Sequence, residues 1–288
     1  MTEVVTETTF LIARGVAIVV RDSDHLQFGL DATRAGIIAT PHAEALAEIF
    51  EKLHQPVTRT SLVSTIAART ATDQTTAGVL VDDLIAFRIL APQTRDSVYV
   101  LGHSPLARAL CSHLNDVGFS VRRPMRHETD VEFIGRVPPP SATVLVDKLA
   151  SAQPLALRLR RVSNVILPVN AVDQHVVVGP VRMRGVGPCL VCTQLHYGQV
   201  DGMWNSITLR FPAGPPSTDP TVIAAGVAAV STQLRRSVGP GLPPGLTHTR
   251  PIPGEVVVAD PFATPALSTR MVERHPKCPV CSGAVDGD

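Results

Sequence analysis

The chain has 288 residues, of which 18% are charged and 4% aromatic, and its 26 Lys and Arg nearly balance its 25 Asp and Glu. This composition excludes a disordered chain, and the absence of any long uninterrupted apolar run excludes a membrane-spanning helix. The near-neutral charge gives no sign of a nucleic-acid partner, and an N-terminus with two acids and no basic cluster argues against a secretion signal and for a cytoplasmic protein.

The first part of the chain, residues 1–92, is acidic, with seven Lys or Arg against eleven Asp or Glu. The apolar pattern predicts two strands and then three short helices, over residues 10–21, 26–30, 41–53, 58–68 and 72–87. This order of elements is typical of a small winged-helix-like domain. The third helix of such a domain commonly binds DNA, but here it carries Asp82 and Asp83, which would repel phosphates. A DNA-binding regulator is therefore disfavoured.

Residues 92–96 are interpreted as a linker to a second domain, residues 97–288, in which buried strands alternate with helices. The strands are predicted over residues 97–101, 119–121, 143–146, 164–169 and 175–179, and the main helices over residues 106–116, 150–160 and 221–234. This alternation predicts an α/β domain with a mostly parallel, Rossmann-like sheet. Residues 255–259 and 269–274 are predicted to pair as a hairpin near the end of the chain.

The turn after the first of these strands is where a Rossmann-type fold binds a nucleotide phosphate, at the start of a helix. The fingerprint requires three glycines, in the pattern G-x-G-x-x-G. This chain has Gly102 at the first position, Ser104 at the second and Ala107 at the third, with His103 and Pro105 among them. Ser104 obstructs close approach of a phosphate, and Pro105 removes an N–H donor. We therefore predict a degenerate nucleotide loop and do not expect ATP as a cofactor.

Four of the five cysteines form two Cys-x-x-Cys pairs, Cys189 with Cys192 and Cys278 with Cys281. Two such pairs supply the four thiolates of a tetrahedral zinc site. The 85 residues between the pairs indicate a long-range staple rather than a zinc finger. Because four sulfur ligands leave no open position on the ion, we predict a structural Zn²⁺ and not a catalytic one.

Disulfides or a redox pair are the alternative interpretations of these cysteines. Without a secretion signal a reducing compartment is expected, in which stable disulfides are rare, and a redox centre would need only one pair. The fifth cysteine, Cys111, falls within a predicted helix and is interpreted as a buried core thiol rather than a nucleophile.

Further motifs lie along the chain, namely Gly15–Arg21, Leu26–Asp31, Gly187–Cys192, Leu195, His196, Asp201, Trp204 and His275–Cys281. Together they resemble one family, the actinobacterial ThiF-like cyclodehydratase or leader-peptide-binding proteins of thiazole/oxazole-modified peptide biosynthesis. These peptides are ribosomally made and then modified, and bacteriocins are among them. The resemblance covers nearly the whole chain, and its zinc motif is its most specific part.

The resemblance implies separate roles for the front domain, for the whole chain and for a partner protein. The front domain would be the winged-helix-like peptide-recognition element that binds the leader of a precursor peptide. A YcaO-type partner would use ATP to form azoline rings. The chain itself would be an accessory subunit of the cyclodehydratase, a ThiF-like scaffold that presents substrate, and the losses at Ser104 and Pro105 agree with this. A homodimer is kept among the assemblies to consider.

Strand addition is the mechanism that we expect for peptide binding. A winged domain exposes a sheet edge, predicted here within Leu11–Val20, and an extended peptide could hydrogen-bond to it while packing against the third helix. The predicted contact residues are Val16, Ile18, Val20, Val79, Asp82 and Asp83. The two aspartates would favour a basic peptide, although a solvated helix face accounts for them equally well.

Two other function classes stay open. An ATP-dependent adenylyltransferase of the ThiF type, acting on a peptide or protein carboxyl terminus, would need the phosphate loop that this sequence has degraded. A winged-helix DNA-binding regulator would need a basic third helix. His196 and Asp201, near the first cysteine pair, are interpreted as supporting or packing residues rather than catalytic ones.

Overall fold

The structure is a computed structural model. It describes residues 7–93, 96–160, 164–212, 214–215, 217–239, 241–247 and 249–282. These residues form two compact units. The first unit holds the described residues of Met1–Thr94 and Pro240–Thr249, and the second holds those of Arg95–Gly239 and Arg250–Asp288.

The first unit contains two antiparallel three-stranded sheets and three helices. In chain order its elements are β1 (Thr9–Ile12), β2 (Ile18–Asp22), β3 (His25–Phe28), β4 (Gly36–Ala39), α1 (Ala43–Glu51), β5 (Val57–Thr58), α2 (Arg59–Thr70), α3 (Gln74–Ala86) and β6 (Leu90–Pro92). The sheets have the orders β5-β1-β6 and β2-β3-β4. Phe50 of α1, Ile66 of α2 and Val81 of α3 are buried in one core with Leu26 and Phe28 of β3.

Helix caps confirm two of the predicted helix starts in this unit. The Thr58 hydroxyl accepts a hydrogen bond from the Ser61 N–H before α2, and the Asp73 carboxylate caps α3 in the same way. The single strand predicted over residues 10–21 is wrong, because the chain turns between β1 and β2, where Gly15 has a φ of +82°. β4 was not predicted, since its sequence does not alternate between apolar and polar residues. The winged-helix assignment stays a prediction.

The segment after residue 239 returns to the first unit. There the Arg88 guanidinium donates to the Leu246 carbonyl at 3.4 Å. Gly245 lies so close to Arg34 that a Cβ on this glycine would meet the Arg34 Cβ at 2.9 Å. The first unit is therefore built from two separate stretches of sequence.

The second unit is an α/β unit. Its elements are β7 (Ser97–Leu101), α4 (Pro105–Val117), β8 (Ser120–Arg122), α5 (Asp130–Arg136), β9 (Ala142–Val146), a 3-10 turn (Leu149–Ser151), α6 (Ala152–Leu159), β10 (Val165–Val172), β11 (His175–Val178), β12 (Arg182–Met183), α7 (Leu190–Val200), α8 (Trp204–Arg210), α9 (Pro220–Ser237), β13 (Glu255–Ala259), β14 (Leu267–Met271) and α10 (Pro279–Ser282). No helix among the described residues is both long and apolar enough to cross a membrane.

One eight-stranded sheet organises this unit, in the order β14-β13-β11-β10-β9-β7-β8, with β12 paired to β10. β8, β7, β9 and β10 run parallel, whereas β11, β12, β13 and β14 are antiparallel to their neighbours. The prediction of a mostly parallel sheet is thus corrected to a mixed one. The reason is the tight turn between β10 and β11, in which Asp173 has a φ of +51°, because a parallel crossover needs a far longer connection.

Helices cover both faces of this sheet. α4 and α9 share one core with it, and α5, α6 and α7 share another. The carboxyl ends of the parallel strands bring Gly102, after β7, and Asp147, after β9, to one edge. Open α/β sheets bind ligands at such an edge. The predicted hairpin is confirmed as β13 and β14, and it leads the chain to the second cysteine pair.

Candidate metal centre and degenerate nucleotide loop

The four paired cysteines lie together, and all are buried. Their Sγ atoms all lie within 4.8 Å of one another. The sulfurs of Cys189 and Cys192 are 3.8 Å apart, those of Cys189 and Cys278 3.5 Å, and those of Cys192 and Cys281 3.6 Å. A tetrahedral ion with metal–sulfur bonds of about 2.3 Å gives sulfur–sulfur edges of about 3.8 Å. The predicted four-cysteine cluster is therefore present, and its geometry could hold a metal ion.

Two short turns present these sulfurs. Cys189 precedes the first residue of α7 and Cys192 lies within its first turn, while Cys278 precedes α10 and Cys281 lies in it. The backbone N–H of Cys192 donates to the Cys189 sulfur, and those of Val280 and Cys281 donate to the Cys278 sulfur. Such N–H donors stabilise thiolates, which are the form that binds metal.

The buried, positively charged side chain of Arg182 lies beside the four-cysteine cluster. The Arg182 side chain donates to the Gly187 carbonyl at 2.7 Å, and its Nη1 lies 3.9 Å from the Cys281 Sγ. Four thiolates around a divalent ion would leave two negative charges, part of which this guanidinium would offset. The hydrogen bond between the Cys189 and Cys192 thiols lowers the pKa of Cys192 to about 4 and raises the pKa of Cys189.

Two histidines pack next to the four-cysteine cluster. His275 is buried, and its Nδ1 accepts the Lys277 N–H at 3.1 Å, whereas its Nε2 has no hydrogen-bond partner within the described residues. The His196 ring meets it edge-on at a centroid distance of 4.9 Å and uses its own Nε2 to donate to the Glu273 carbonyl at 2.9 Å. Asp201 lies apart from them, at the C-terminal end of α7. The His196 and His275 rings therefore pack against each other, and the interpretation of His196 and Asp201 as supporting residues stays a prediction.

Gly102 is required by packing, whatever binds nearby. Its φ is +146°, and a Cβ at this position would meet the Val146 carbonyl oxygen at 2.5 Å. The turn after β7 can therefore lie against β9 only with glycine. His103, the next residue, is exposed, and its carbonyl accepts from the Arg108 Nη1 at 2.9 Å.

The N-terminus of α4 is capped by a side chain of the protein itself. Ser104 is the N-cap, and its Oγ accepts the Ala107 N–H at 3.2 Å. Pro105 stands at the first helical position, where it has no N–H to offer. The N–H groups that a phosphate would use at this helix start are therefore partly missing and partly taken.

Asp147 is the titratable group next to this loop, and motif analysis gave it no role. It is 4% exposed and has a φ of +55°. Its Oδ1 accepts the Ala171 N–H at 2.8 Å, and its Oδ2 is buried without a partner in the part of the chain that the structure describes. Burial raises the pKa of Asp147, and hydrogen bonding with Ser104 opposes that shift. An acid that directly follows a buried strand is the signal that could have identified it.

A cavity of about 300 Å³ opens beside Asp147, at the carboxyl ends of β9 and β10. Its walls are mainly apolar and include Trp204, Ile207 and Phe211. Trp204 is held by stacking on Tyr197, at a centroid distance of 4.4 Å. The buried carboxylate is thus a polar group in an otherwise apolar site, a common arrangement in ligand pockets.

The predicted peptide residues on the strand side lie in and before β2. Val16 and Ile18 pack against the core of the first unit. Ile18 pairs with Phe28 of β3 and Val20 pairs with Leu26, after which the register of β2 shifts at a bulge. Val20 is 38% exposed, so it is the most accessible of the three.

The predicted peptide residues on the helix side lie on α3. Val79 is 57% exposed and Asp83 is also exposed. The Asp82 carboxylate receives two hydrogen bonds of 2.7 Å from the Arg59 guanidinium, which lowers the pKa of Asp82 and neutralises its charge locally. α3 packs against α2 and β6, whereas β2 packs against α1 and β3. The two groups of residues are thus attached to different elements.

No protein-family model matches the sequence, and no curated protein matches it. Solved structures do match. A heterocyclase in complex with substrate and cofactor aligns with 95% of this chain at a TM-score of 0.58 and 14% identity. The heterocyclase TruD aligns with 95% at a TM-score of 0.55 and 15% identity. E. coli MccB with ATP aligns with 95% of this chain and 99% of its own, at a TM-score of 0.49 and 12% identity.

The chain spans 39% and 43% of the length of the two heterocyclases. At these identities the likeness concerns the fold. The resemblance predicted from the motifs is confirmed at that level, because structural neighbours of this chain are heterocyclases. The chain therefore has a mixed α/β fold of the kind found in these two heterocyclases, with a buried four-cysteine cluster.

Proposed function

We propose that this chain is a substrate-presenting, non-catalytic subunit in the biosynthesis of thiazole/oxazole-modified peptides. It binds the leader of a precursor peptide and leaves ATP-dependent azoline formation to a YcaO-type component. The observation that carries this proposal is the start of α4. Ser104 and Pro105 stand there, in place of a phosphate loop, within a fold shared with two heterocyclases. Such a chain keeps the architecture without the means to hold a triphosphate there.

The four-cysteine cluster is proposed to hold one structural Zn²⁺. Four sulfur ligands favour zinc and leave no open coordination position. Bound there, the ion would join α7 to the end of the chain across the 85 residues between the two pairs. Closing a loop of that length constrains the unfolded chain, so metal binding supports the fold rather than a reaction.

Peptide binding by strand addition is proposed for the β2-β3-β4 sheet, which has an edge at β2 and an edge at β4. β2 carries a bulge and the charged pair Arg21 and Asp22, features that discourage pairing with another chain. β4, with the sequence Gly-Ile-Ile-Ala, has neither, and its Ile37 is 49% exposed. The β4 edge is therefore the better acceptor for a peptide than the β2 edge expected from the sequence.

Hydrogen-bond directions identify the groups at each edge. The Thr40 N–H donates to the Asp24 carbonyl, so Ile38 and Gly36 turn their backbone toward β3, and Ile37 turns away. The Gly29 N–H donates to the Ala17 carbonyl, so Val20 likewise turns away from β3. A proline at either outward position removes a donor for a peptide without breaking a bond of the sheet.

Proline substitutions in the full chain test which edge binds the leader. The probe is the N-terminal half of a short Cys-, Ser- and Thr-rich precursor encoded beside this chain. Ile37→Pro should weaken its binding at least roughly tenfold, because a backbone hydrogen bond is lost and the approach is blocked. Ile37→Val keeps the N–H and should bind normally. A loss confined to Val20→Pro would assign the peptide to β2, and no saturable binding by the unaltered chain would contradict the proposal.

Reconstitution tests the function itself. The chain, a YcaO-type protein encoded near it and the precursor are mixed with ATP, and loss of one water per ring is followed by mass spectrometry. Ring formation should depend on all three components. Equal ring formation without this chain would contradict its presenting role.

An ATP-dependent adenylyltransferase is the second candidate function. The buried Oδ2 of Asp147 beside a 300 Å³ cavity favours it, because a ligand with a donor group or a cation could satisfy this oxygen. The capped start of α4 argues against it. ATP–pyrophosphate exchange by the chain, lost in Asp147→Asn, would establish adenylation and overturn the non-catalytic proposal.

A further inference from the structure

The segment that carries the second cysteine pair, residues 272–282, is attached to the second unit by groups other than its cysteine sulfurs. Val280 is 6% exposed and belongs to the same core as Leu155 and Leu159 of α6. The Arg160 guanidinium, at the end of α6, donates to the Val280 carbonyl at 3.4 Å. One buried apolar side chain and one charged hydrogen bond thus hold this segment against α6.

Two arginines from different parts of the chain converge on one carbonyl group beside the first cysteine pair. The Arg182 Nη1 donates to the Gly187 carbonyl at 2.7 Å, and the Arg274 Nε donates to the same oxygen at 3.2 Å. The Arg274 Nη2 also donates to the Gly185 carbonyl at 2.8 Å. Arg274 therefore spans two carbonyls of the turn that leads to Cys189, with the planar fork of donors that a guanidinium provides.

Helix α7 adds two further hydrogen bonds to the same segment. The backbone N–H of His275 donates to the Cys192 sulfur. The His196 Nε2 donates to the Glu273 carbonyl at 2.9 Å. The bonds from the arginines and from α7 join protein groups to protein groups, and they fix the backbone both before the second cysteine pair and within it.

We infer that these contacts preform the four-cysteine site, so that its sulfurs are brought together before an ion binds. Arg274 is the main positioning residue, because it lies on the segment itself and makes two of the bonds. The inference rests on the proposed zinc ion only for the identity of the metal. A site that is already ordered loses less conformational entropy when the ion binds, so its affinity for the ion is higher.

The zinc affinity of the full chain, measured by competition with a chelator under reducing conditions, tests the role of Arg274. Arg274→Met keeps the aliphatic stem but removes every donor, so the zinc dissociation constant should rise at least about tenfold. Arg184→Met is the matched control, because Arg184 is also exposed and lies in the same turn but makes none of these bonds. This control should bind zinc as the unaltered chain does.

Arg274→Lys separates the geometry of the contact from its charge. Lysine keeps the positive charge but not the planar fork, so this variant should recover only part of the affinity that Arg274→Met loses. Full recovery by Arg274→Lys would assign the effect to charge and overturn the positioning role. Equal zinc affinity of Arg274→Met and Arg184→Met would overturn it as well.

Amide hydrogen exchange in the metal-free full chain tests whether the site is preformed. The Cys278 N–H donates to the His275 carbonyl, and the N–H groups of Cys281 and Ser282 donate to the Cys278 carbonyl. These three N–H groups should be protected in the unaltered chain after chelation under reducing conditions. Their protection should be lost in Arg274→Met, while β9 and β10 keep theirs.

Rapid exchange of these three N–H groups in the metal-free unaltered chain would overturn the inference, because the ion and not the arginines would then dock the segment. An unaltered chain that binds no zinc but protects them would contradict the proposed ion and still support a preformed site. The exchange measurement therefore separates a failure of this inference from a failure of the zinc proposal.

Discussion

The starts of two helices in the second unit differ in what their side chains face. At the start of α7, Cys189 and Cys192 turn toward the other cysteine pair, at sulfur distances that suit one ion. At the start of α4, Ser104 turns back and caps its own helix. The comparison teaches that Gly102 is demanded by its contact with Val146, whatever the turn beside it binds.

Removing a metal ligand should have the largest effect. Cys281→Ser deletes one of four thiolates, so we expect zinc content to fall well below one equivalent and the second unit to lose several kcal/mol of stability. Elemental analysis and thermal unfolding measure both. Cys111→Ala is the control, because it removes a buried thiol outside the cluster and should cost only about 1 kcal/mol. Full zinc retention in Cys281→Ser would mean that the cluster is not the metal site.

Gly102→Ala should come next. The added Cβ would lie 2.5 Å from the Val146 carbonyl oxygen, at a φ of +146°. Because backbone must move to relieve the clash, a loss of about 2–4 kcal/mol is expected in denaturant unfolding. Gly135→Ala is the matched control, since a Cβ there meets nothing within 4 Å and α5 gains a better helix former. Equal stability of the two variants would remove the packing explanation.

Ser104→Ala should cost about 1 kcal/mol, because α4 loses its N-cap. Ser104→Gly should cost only a few tenths of a kcal/mol and would free the Ala107 N–H. Neither variant should bind ATP, since Pro105 still lacks a donor. Nucleotide titration followed by calorimetry checks this, and measurable ATP binding by Ser104→Gly would show that the loop is one substitution away from a phosphate site.

Asp147→Asn should have the smallest effect, and a pH-dependent one. Burial raises the pKa of Asp147 above its ordinary value of 3.8, so the folded state binds more protons than the unfolded chain between these two pKa values. Its contribution to stability therefore falls as pH rises through that window. Asp147→Asn should therefore be more stable than the unaltered chain at pH 7, and equal to it below the ordinary pKa of an aspartate. Thermal unfolding at several pH values measures this difference in stability. A stability gain of Asp147→Asn that grows as the pH is lowered would contradict the prediction.

Local rules were enough for part of this fold. Thr58, Asp73 and Asp219 cap α2, α3 and α9, and such caps can be recognised in a sequence because a cap depends on a few adjacent residues. The four-cysteine cluster was predictable because metal-ligand spacing is equally local. Strand direction was not, since β10 and β11 are both apolar runs and only their short connection makes them antiparallel.

The supporting groups of the site were less accessible to sequence reasoning. Arg182 gains its place beside Cys281 only through burial between distant segments. His275 and His196 meet for the same reason, across 78 intervening residues. Asp147 could have been singled out as an acid directly after a strand. That its Oδ2 lacks a partner among the described residues depends on neighbours that no motif names.

The return of Pro240–Thr249 to the first unit has a consequence for how the protein is made. The N-terminal half leaves the ribosome first, yet the stretch around Leu246 that receives the Arg88 hydrogen bond is synthesised more than 150 residues later. The first unit therefore starts to be synthesised first, but it is among the last parts of the protein to be completed. A fragment that ends at residue 93 would lack the segment Pro240–Thr249 of this unit.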